Sequence, residues 1–163
     1  MNYSIRAASA RDLDGLCSIR NHEGLFRKYL DQDHQREGCF IVAEMDGRIA
    51  GFVVLKLSGN RIPKLSDLYV KEACRGKGVG SALIRYQENM ARTLGYSELF
   101  VSVDPQENPR MIQLITRLGY AAVTEPYLKT AIFYNEDGTA YETTYTRVDL
   151  KKRLNNYFIG GIE

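Results

Sequence analysis

The sequence predicts an α/β (α+β) fold, a mixed sheet flanked by helices, on three observations. Segments in which apolar residues alternate are interleaved with segments in which they recur at helical spacing. Asp46-Gly47 stands between two apolar, β-branched runs, the strongest short signal for a hairpin. A glycine-rich turn over Gly76, Gly78 and Gly80 hands a strand over to an amphipathic helix. The chain has 163 residues, 44% of them hydrophobic, enough for one core. It holds no internal repeat and no Pro/Ser-rich linker, so 1–163 is expected to form a single domain.

Tyr3, Ile5 and Ala7 alternate with polar neighbours and predict a first strand. Ser9-Ala10-Arg11-Asp12 has the spacing of a capping box, and Leu13, Leu16 and Cys17 continue it as a first helix. Leu25, Phe26, Tyr29 and Leu30 predict a second helix before the charged stretch that ends at Gly38. Residues 39–45 and 49–57 form an antiparallel pair across Asp46-Gly47-Arg48, and 65–70 forms the next strand. The helix after the glycine turn shows Val79, Leu83, Tyr86, Met90 and Leu94 on one face and stops at Gly95. Residues 99–103 form a strand, and 65–103 as a whole reads as a right-handed parallel crossover. Asn108-Pro109 is an N-cap with proline at the first helical position, and Met111, Ile112, Ile115 and Leu118 mark the buried face of a helix ended by Gly119. Strand character then returns from Tyr120, with a turn at Asp137-Gly138, a closing strand around 141–150 and a tail after Arg153.

Lysine plus arginine exceed aspartate plus glutamate by only 22 − 20 = 2, so neither a nucleic-acid surface nor an acidic disordered chain is indicated. The longest apolar runs, 39–43 and 52–55, are far below the ~20 residues that cross a bilayer. With no secretory signal visible at the start, no membrane partner and a cytoplasmic location are expected. Cys17, Cys39 and Cys74 are an odd, widely spaced set and read as reduced thiols. Together with only His22 and His34, they offer no metal-ligand spacing, so the expectation is no metal.

Arg75-Gly76-Lys77-Gly78-Val79-Gly80-Ser81 is the informative segment. Alternating glycines at the start of a helix let backbone N–H groups converge on an anion, and Arg75 and Lys77 add two cations, which suits a pyrophosphate. The spacing is neither that of a Walker A loop nor that of GxGxxG. The plainer alternative is a strand-to-helix turn that merely needs glycine.

The loop follows a strand ending Asp67-Leu68-Tyr69-Val70, and downstream Asn108 opens a helix ending Arg117-Leu118-Gly119-Tyr120. In these features, and in element order over nearly the whole chain, the sequence resembles the GNAT superfamily of acetyl-CoA-dependent N-acetyltransferases. The resemblance implies a GNAT-like mixed, mostly antiparallel central sheet of about seven strands flanked by about four helices. It implies coenzyme A as the ligand: main-chain groups of Leu68, Tyr69 and Val70 on the pantetheine arm, residues Arg75, Gly76, Lys77, Gly78, Val79, Gly80 and Ser81 on the pyrophosphate, and Asn108 near the pantetheine or thioester end. Relatives often pair as homodimers, so that state is carried over as an expectation.

An alkyl amine has a pKa of about 10.4 and must lose a proton before it attacks a thioester. Asp67 is the candidate base, acting through water, or else the charge that attracts a cationic amine; the alternative is a strand-edge carboxylate paired to Lys64 or capped by Ser66. The backbone N–H of Tyr69 or Val70 is the candidate oxyanion donor. Many relatives carry a tyrosine four residues before the glycine equivalent to Gly119, as acid for the leaving thiolate, and here that position is Ile115. Tyr120, Tyr127 and Tyr134 are possible replacements, as is water. The long stretch containing Glu125, Tyr127, Phe133, Tyr134, Glu136 and Asp137 either walls an acceptor pocket or is an ordinary hairpin whose aromatics pack on the sheet. The functional expectation is acetyl transfer to a primary amine of a small molecule in a ternary complex. Transfer to a protein or peptide amine, and a non-catalytic acyl-CoA sensor, are the alternatives.

Overall fold

The structure, a computed structural model, describes residues 3–155. The described residues divide into two compact units, 3–99 with 153–155, and 100–152. In the first, strands β1 (Tyr3–Ala7), β2 (Gly38–Met45), β3 (Arg48–Lys56) and β4 (Lys64–Val70) lie side by side in chain order, each antiparallel to the next. Helices α1 (Leu13–Ile19) and α2 (Glu23–His34) separate β1 from β2, and α3 (Val79–Thr93) follows β4 after a short 3₁₀ turn over Glu72–Cys74. The expected hairpin is present, with Asp46 and Gly47 both at positive φ, 53° and 77°.

The continuous apolar runs of β2 and β3 are explained by cover on both faces. Phe40, Val42, Phe52 and Val54 point toward α1 and α2, where Leu16, Phe26 and Tyr29 complete one core. Their rings interlock, with Phe26 edge-on to Phe52 at 5.2 Å and Tyr29 edge-on to Phe40 at 5.3 Å between centroids. The alternate residues Ile41, Val53 and Leu55 are equally buried beneath α3. That helix presents Val79, Leu83, Ile84, Gln87, Glu88 and Ala91 inward, a face rotated from the expected one: Leu94 is half exposed. Gln87 is buried because its amide serves strand carbonyls, donating to the Cys39 oxygen at 3.1 Å.

In the second unit β5 (Glu98–Val103) neighbours β8 (Ala140–Arg153), which also pairs antiparallel with the two-residue β6 (Ala121–Ala122) and with β7 (Tyr127–Tyr134). Helix α4 (Pro109–Arg117) opens at Asn108, whose Oδ1 accepts the Met111 N–H at 3.3 Å. Three strands follow α4 where two were expected. β7 and β8 are a long hairpin closed by Asn135 to Thr139, and its aromatics are only partly covered. Tyr134 and Tyr141 stay largely exposed, and Phe133 rests on Tyr141 of its own hairpin at 5.9 Å. The chain after Arg153, expected to be a tail, is not one at its start: Leu154 is buried and donates its N–H to Ser97 at 2.8 Å, while residues beyond 155 lie outside the described ones. Among the described residues no helix is long and apolar enough to cross a membrane.

Arg6 ties β1 to the entry of α1 through a two-point pair with the buried Asp12, Nη1 to Oδ2 and Nη2 to Oδ1 both at 2.8 Å, and the Ser9 N–H donates to the same carboxylate. The Arg6 hydrogen bonds hold the Asp12 carboxyl below the usual aspartate range, against the opposing effect of burial. A group so lowered contributes its full stability above the ordinary value of about 3.9 and loses it as pH falls through the lower folded value. Urea unfolding of Asp12→Asn is therefore expected to show a loss of about 2 kcal/mol at pH 7, shrinking relative to wild type once pH drops below about 4. An equal deficit at every pH would refute this assignment.

Candidate functional site

β4 carries one residue more than β3 between two fixed pairs. Ser66 stands opposite Val54 and Tyr69 opposite Phe52, so Asp67 and Leu68 share Val53 between them. Asp67 takes up the extra length with φ +50°, in the left-handed region that aspartate tolerates better than most side chains. Uninterrupted pairing would set Asp67 opposite Val53, under α3. The bulge turns it to the α1–α2 face instead, on the same side as Tyr69.

There the carboxylate is held at both oxygens. Arg20, the residue that ends α1, donates from Nη1 to Oδ1 at 2.6 Å, and the Tyr29 hydroxyl of α2 donates to Oδ2 at 2.5 Å. Asp67's partners are thus Arg20 and Tyr29 rather than Lys64 or Ser66. Burial, and then the charge of Asp67, push the Tyr29 hydroxyl well above the usual tyrosine range, so it remains a donor throughout the physiological range. An aromatic floor runs beside the cluster: the Arg20 guanidinium lies 5.8 Å from the Phe52 centroid, and Phe52 stacks on Tyr69 at 5.8 Å. Neither Arg20 nor Tyr29 carries a local sequence signal that points to Asp67. They lie 47 and 38 residues away along the chain.

Past β4, Arg75 is extended, Gly76 and Gly78 take φ +75° and +86°, and Val79 begins α3. Among the described residues, and apart from their own chain neighbours, no heavy atom lies within 4 Å of where a Cβ on Gly76 or Gly78 would be, so these glycines open onto free space and answer to their backbone angles alone. α3 has no side-chain cap and no acidic residue in its first turn, and its first internal bond is from the Ala82 N–H to the Gly78 carbonyl at 3.0 Å. The N–H groups of Val79, Gly80 and Ser81 precede that bond at the positive end of the helix. Arg75, Gly76, Lys77 and Gly78 are all exposed. Arg75 folds back over β4, donating from Nε to the Val70 carbonyl at 2.8 Å with its guanidinium 5.5 Å from the Tyr69 ring, which leaves Lys77 as the outward cation of the loop. Residues 67–70 and 75–81 therefore belong to one unit, on consecutive elements. Thiols play no visible part: Cys74 sits in the 3₁₀ turn, and burial pushes the Cys39 thiol up to about 11.

A family model for the acetyltransferase (GNAT) family matches residues 7–120. The chain belongs to that family. An uncharacterized N-acetyltransferase of Methanocaldococcus jannaschii is 31% identical over 122 residues, covering 71% of this chain and 76% of the relative. The streptothricin acetyltransferase of Streptomyces lavendulae is 32% identical over 83 residues, 50% of this chain and 43% of the relative. A GNAT phosphinothricin acetyltransferase from Sinorhizobium meliloti, solved in complex with AcCoA, superposes with a TM-score of 0.72 at 20% identity, covering 96% of this chain and 90% of that one. The ribosomal-protein-S18-alanine N-acetyltransferase of Escherichia coli does so with a TM-score of 0.70 at 16% identity, covering 94% and 95%. At these identities the two structures share the fold.

In the second unit of this GNAT chain, Asn108 caps α4, and Ile115, at the position where many relatives carry tyrosine, has no exposed surface. Tyr120 is buried under the Lys152 ammonium, 5.7 Å from its ring centroid. The Tyr127 hydroxyl donates to Oδ1 of the buried Asp149 at 2.7 Å, and burial followed by that bond raises its pKa. Tyr134 lies exposed at the end of β7.

The left-handed angle at Asp67 yields a stability test. Asp67→Gly and Asp67→Ala both delete the carboxylate, but only alanine keeps a Cβ at positive φ. Denaturant titration is expected to place Asp67→Ala about 1 kcal/mol below Asp67→Gly. The reverse order would mean that β4 has no bulge there.

Proposed function

We propose that this chain transfers an acetyl group from acetyl-CoA to a primary amine of a small molecule, by direct attack within a ternary complex. The observation that most supports it is the cradle at 75–81, an uncapped helix start behind two left-handed glycines whose Cβ positions are open. Side chains there would fill the space an anion needs, so the residues present fit a pyrophosphate. N–H groups from Gly76 to Ser81 would hold the diphosphate, with Arg75 and Lys77 adding charge. Main-chain groups of Leu68, Tyr69 and Val70 would take the pantetheine arm as an added strand.

When bound, acetyl-CoA supplies a thioester-activated acetyl group, whose carbonyl carbon gains a bond to the amine nitrogen as its bond to sulfur breaks. The chain's own task is to manage protons and charge around that exchange. Asp67 takes the ammonium proton through a water, and Arg20 and Tyr29 hold the carboxylate in place by one bond to each oxygen, leaving further lone pairs on both. The N–H of Tyr69 or Val70 meets the developing oxyanion. With Ile115 supplying no hydroxyl, the departing thiolate takes its proton from water, which a thiol of pKa about 8.5 permits.

The names of the streptothricin and phosphinothricin relatives favour a small acceptor. The S18 enzyme of like fold keeps a protein N-terminus as the second reading. A non-catalytic acyl-CoA sensor would bind the cofactor and release no thiol.

Two variants test the assignment. Gly78→Val places a branched Cβ in the cradle at a backbone strain of about 1–2 kcal/mol. Calorimetry should detect no acetyl-CoA binding while circular dichroism still reports a folded domain, and wild-type affinity would refute the cradle. Asp67→Asn should lower turnover mainly at low pH, where fewer acceptor amines are already neutral. An unchanged pH profile removes Asp67 from proton transfer.

A further inference from the structure

We propose that Arg20 selects the acceptor, and that the acceptor is an amine that also carries a free carboxylate, of the α-amino acid type. The inference rests on the acetyl-transfer reading above, since it takes the side of Asp67 as the place where the amine arrives.

A guanidinium and a carboxylate are matched for two parallel hydrogen bonds, and Arg6 with Asp12 shows that arrangement elsewhere in this protein. Arg20 and Asp67 do not adopt it. Only Nη1 of Arg20 reaches Asp67, and the other carboxylate oxygen is taken by Tyr29. Among the described residues, the remaining N–H groups of the Arg20 guanidinium have no protein acceptor. Its side chain is 35% exposed, so those groups are reachable. They are also held in place. The Arg20 backbone N–H closes the last turn of α1 on the Leu16 carbonyl at 3.0 Å, and the guanidinium lies against the Phe52 ring. A donor fork with a vacant edge and restricted motion suits a second, planar oxyanion.

The two charges lie side by side, and an α-amino acid carries the complementary pair as two substituents of one carbon. Its ammonium would meet the remaining lone pairs of Asp67 while its carboxylate met the vacant edge of Arg20. An ester, an amide or a simple alkylamine satisfies the first contact and leaves the second to water. A peptide N-terminus falls in the amide class, so the same contact disfavours the protein acceptor.

The test uses the full chain with acetyl-CoA and matched acceptor sets: an amino acid, its methyl ester, its carboxamide and the amine left by decarboxylation. Thiol release gives kcat and KM for each. The free acid is expected to exceed its three partners by about ten- to a hundredfold in kcat/KM, mostly through KM, as a charge-assisted pair would give. In Arg20→Gln that ratio should fall toward one, and Arg20→Lys, which keeps charge without the fork, should restore part of it. Equal kcat/KM across the four forms in the wild type overturns the proposal by itself, even if the variants do not fold. A loss in Arg20→Gln that is uniform across the set also overturns it, because that is what a residue merely bracing Asp67 would show. Acetylation of no amine at all overturns the acetyl-transfer reading, and this proposal with it.

Discussion

The extra residue that β4 carries opposite Val53 decides how the first unit builds its site. β2 and β3 are covered on both faces, so every residue of β4 is assigned a side by its pairing with β3. Without the bulge, the carboxylate of Asp67 would lie against the apolar underside of α3, where an unpaired charge is costly. With it, Asp67 meets a guanidinium and a phenol, and Tyr69 falls opposite Phe52 and joins the aromatic core. One backbone irregularity thus places a charged group beside a hydrophobic cluster without burying it unpartnered.

The magnitudes favour that arrangement. A left-handed aspartate costs about 1 kcal/mol, less than the hydrogen bonds it makes to charged or buried partners contribute together. The arrangement is reciprocal, because a buried phenol without an acceptor would itself lose about 1–3 kcal/mol. Tyr29, 9% exposed and edge-on to Phe40, finds in Asp67 the acceptor its hydroxyl needs. Deleting either partner leaves the other wrongly solvated, so the cluster stands as a unit.

Local chemistry in the sequence reached as far as local structure does. The Asp46-Gly47 hairpin, the proline-started α4 and the glycine turn before α3 are each determined by backbone preferences of two or three neighbouring residues, and each is present. Asp67 was legible as a chemically suggestive residue beside a recognisable loop. Its surroundings were not, since the bulge is a matter of register between two strands and its partners come from other elements. The same limit explains α3: Gln87 and Glu88 look like solvent-facing residues in sequence, and burial of Gln87 follows from strand carbonyls that only the assembled sheet presents. The β7–β8 hairpin failed in the opposite direction. Aromatic residues on alternating positions suggest packing, but nothing in their own pattern says whether a second surface is present to receive them.

Ile115 marks where this chain's sequence parts from that of many relatives. A residue with no exposed surface, the one buried side chain of α4, is fixed by packing, and a phenol at that site would need both extra volume and an acceptor. The polar contacts of the second unit gather elsewhere, around Asp149, which accepts from Ser102 at 2.6 Å and from Tyr127 at 2.7 Å while its own N–H donates to Thr124 at 3.0 Å. Those bonds satisfy a buried carboxylate and give Tyr127 a structural reason for its hydroxyl. Protonating a leaving thiolate is the least demanding part of acetyl transfer, whereas taking a proton from an ammonium of pKa about 10.4 near neutral pH is the most. On the proposed mechanism, a chain that keeps Asp67 positioned by Arg20 and Tyr29 while Ile115 stands in place of the phenolic acid has retained the group whose absence would cost more.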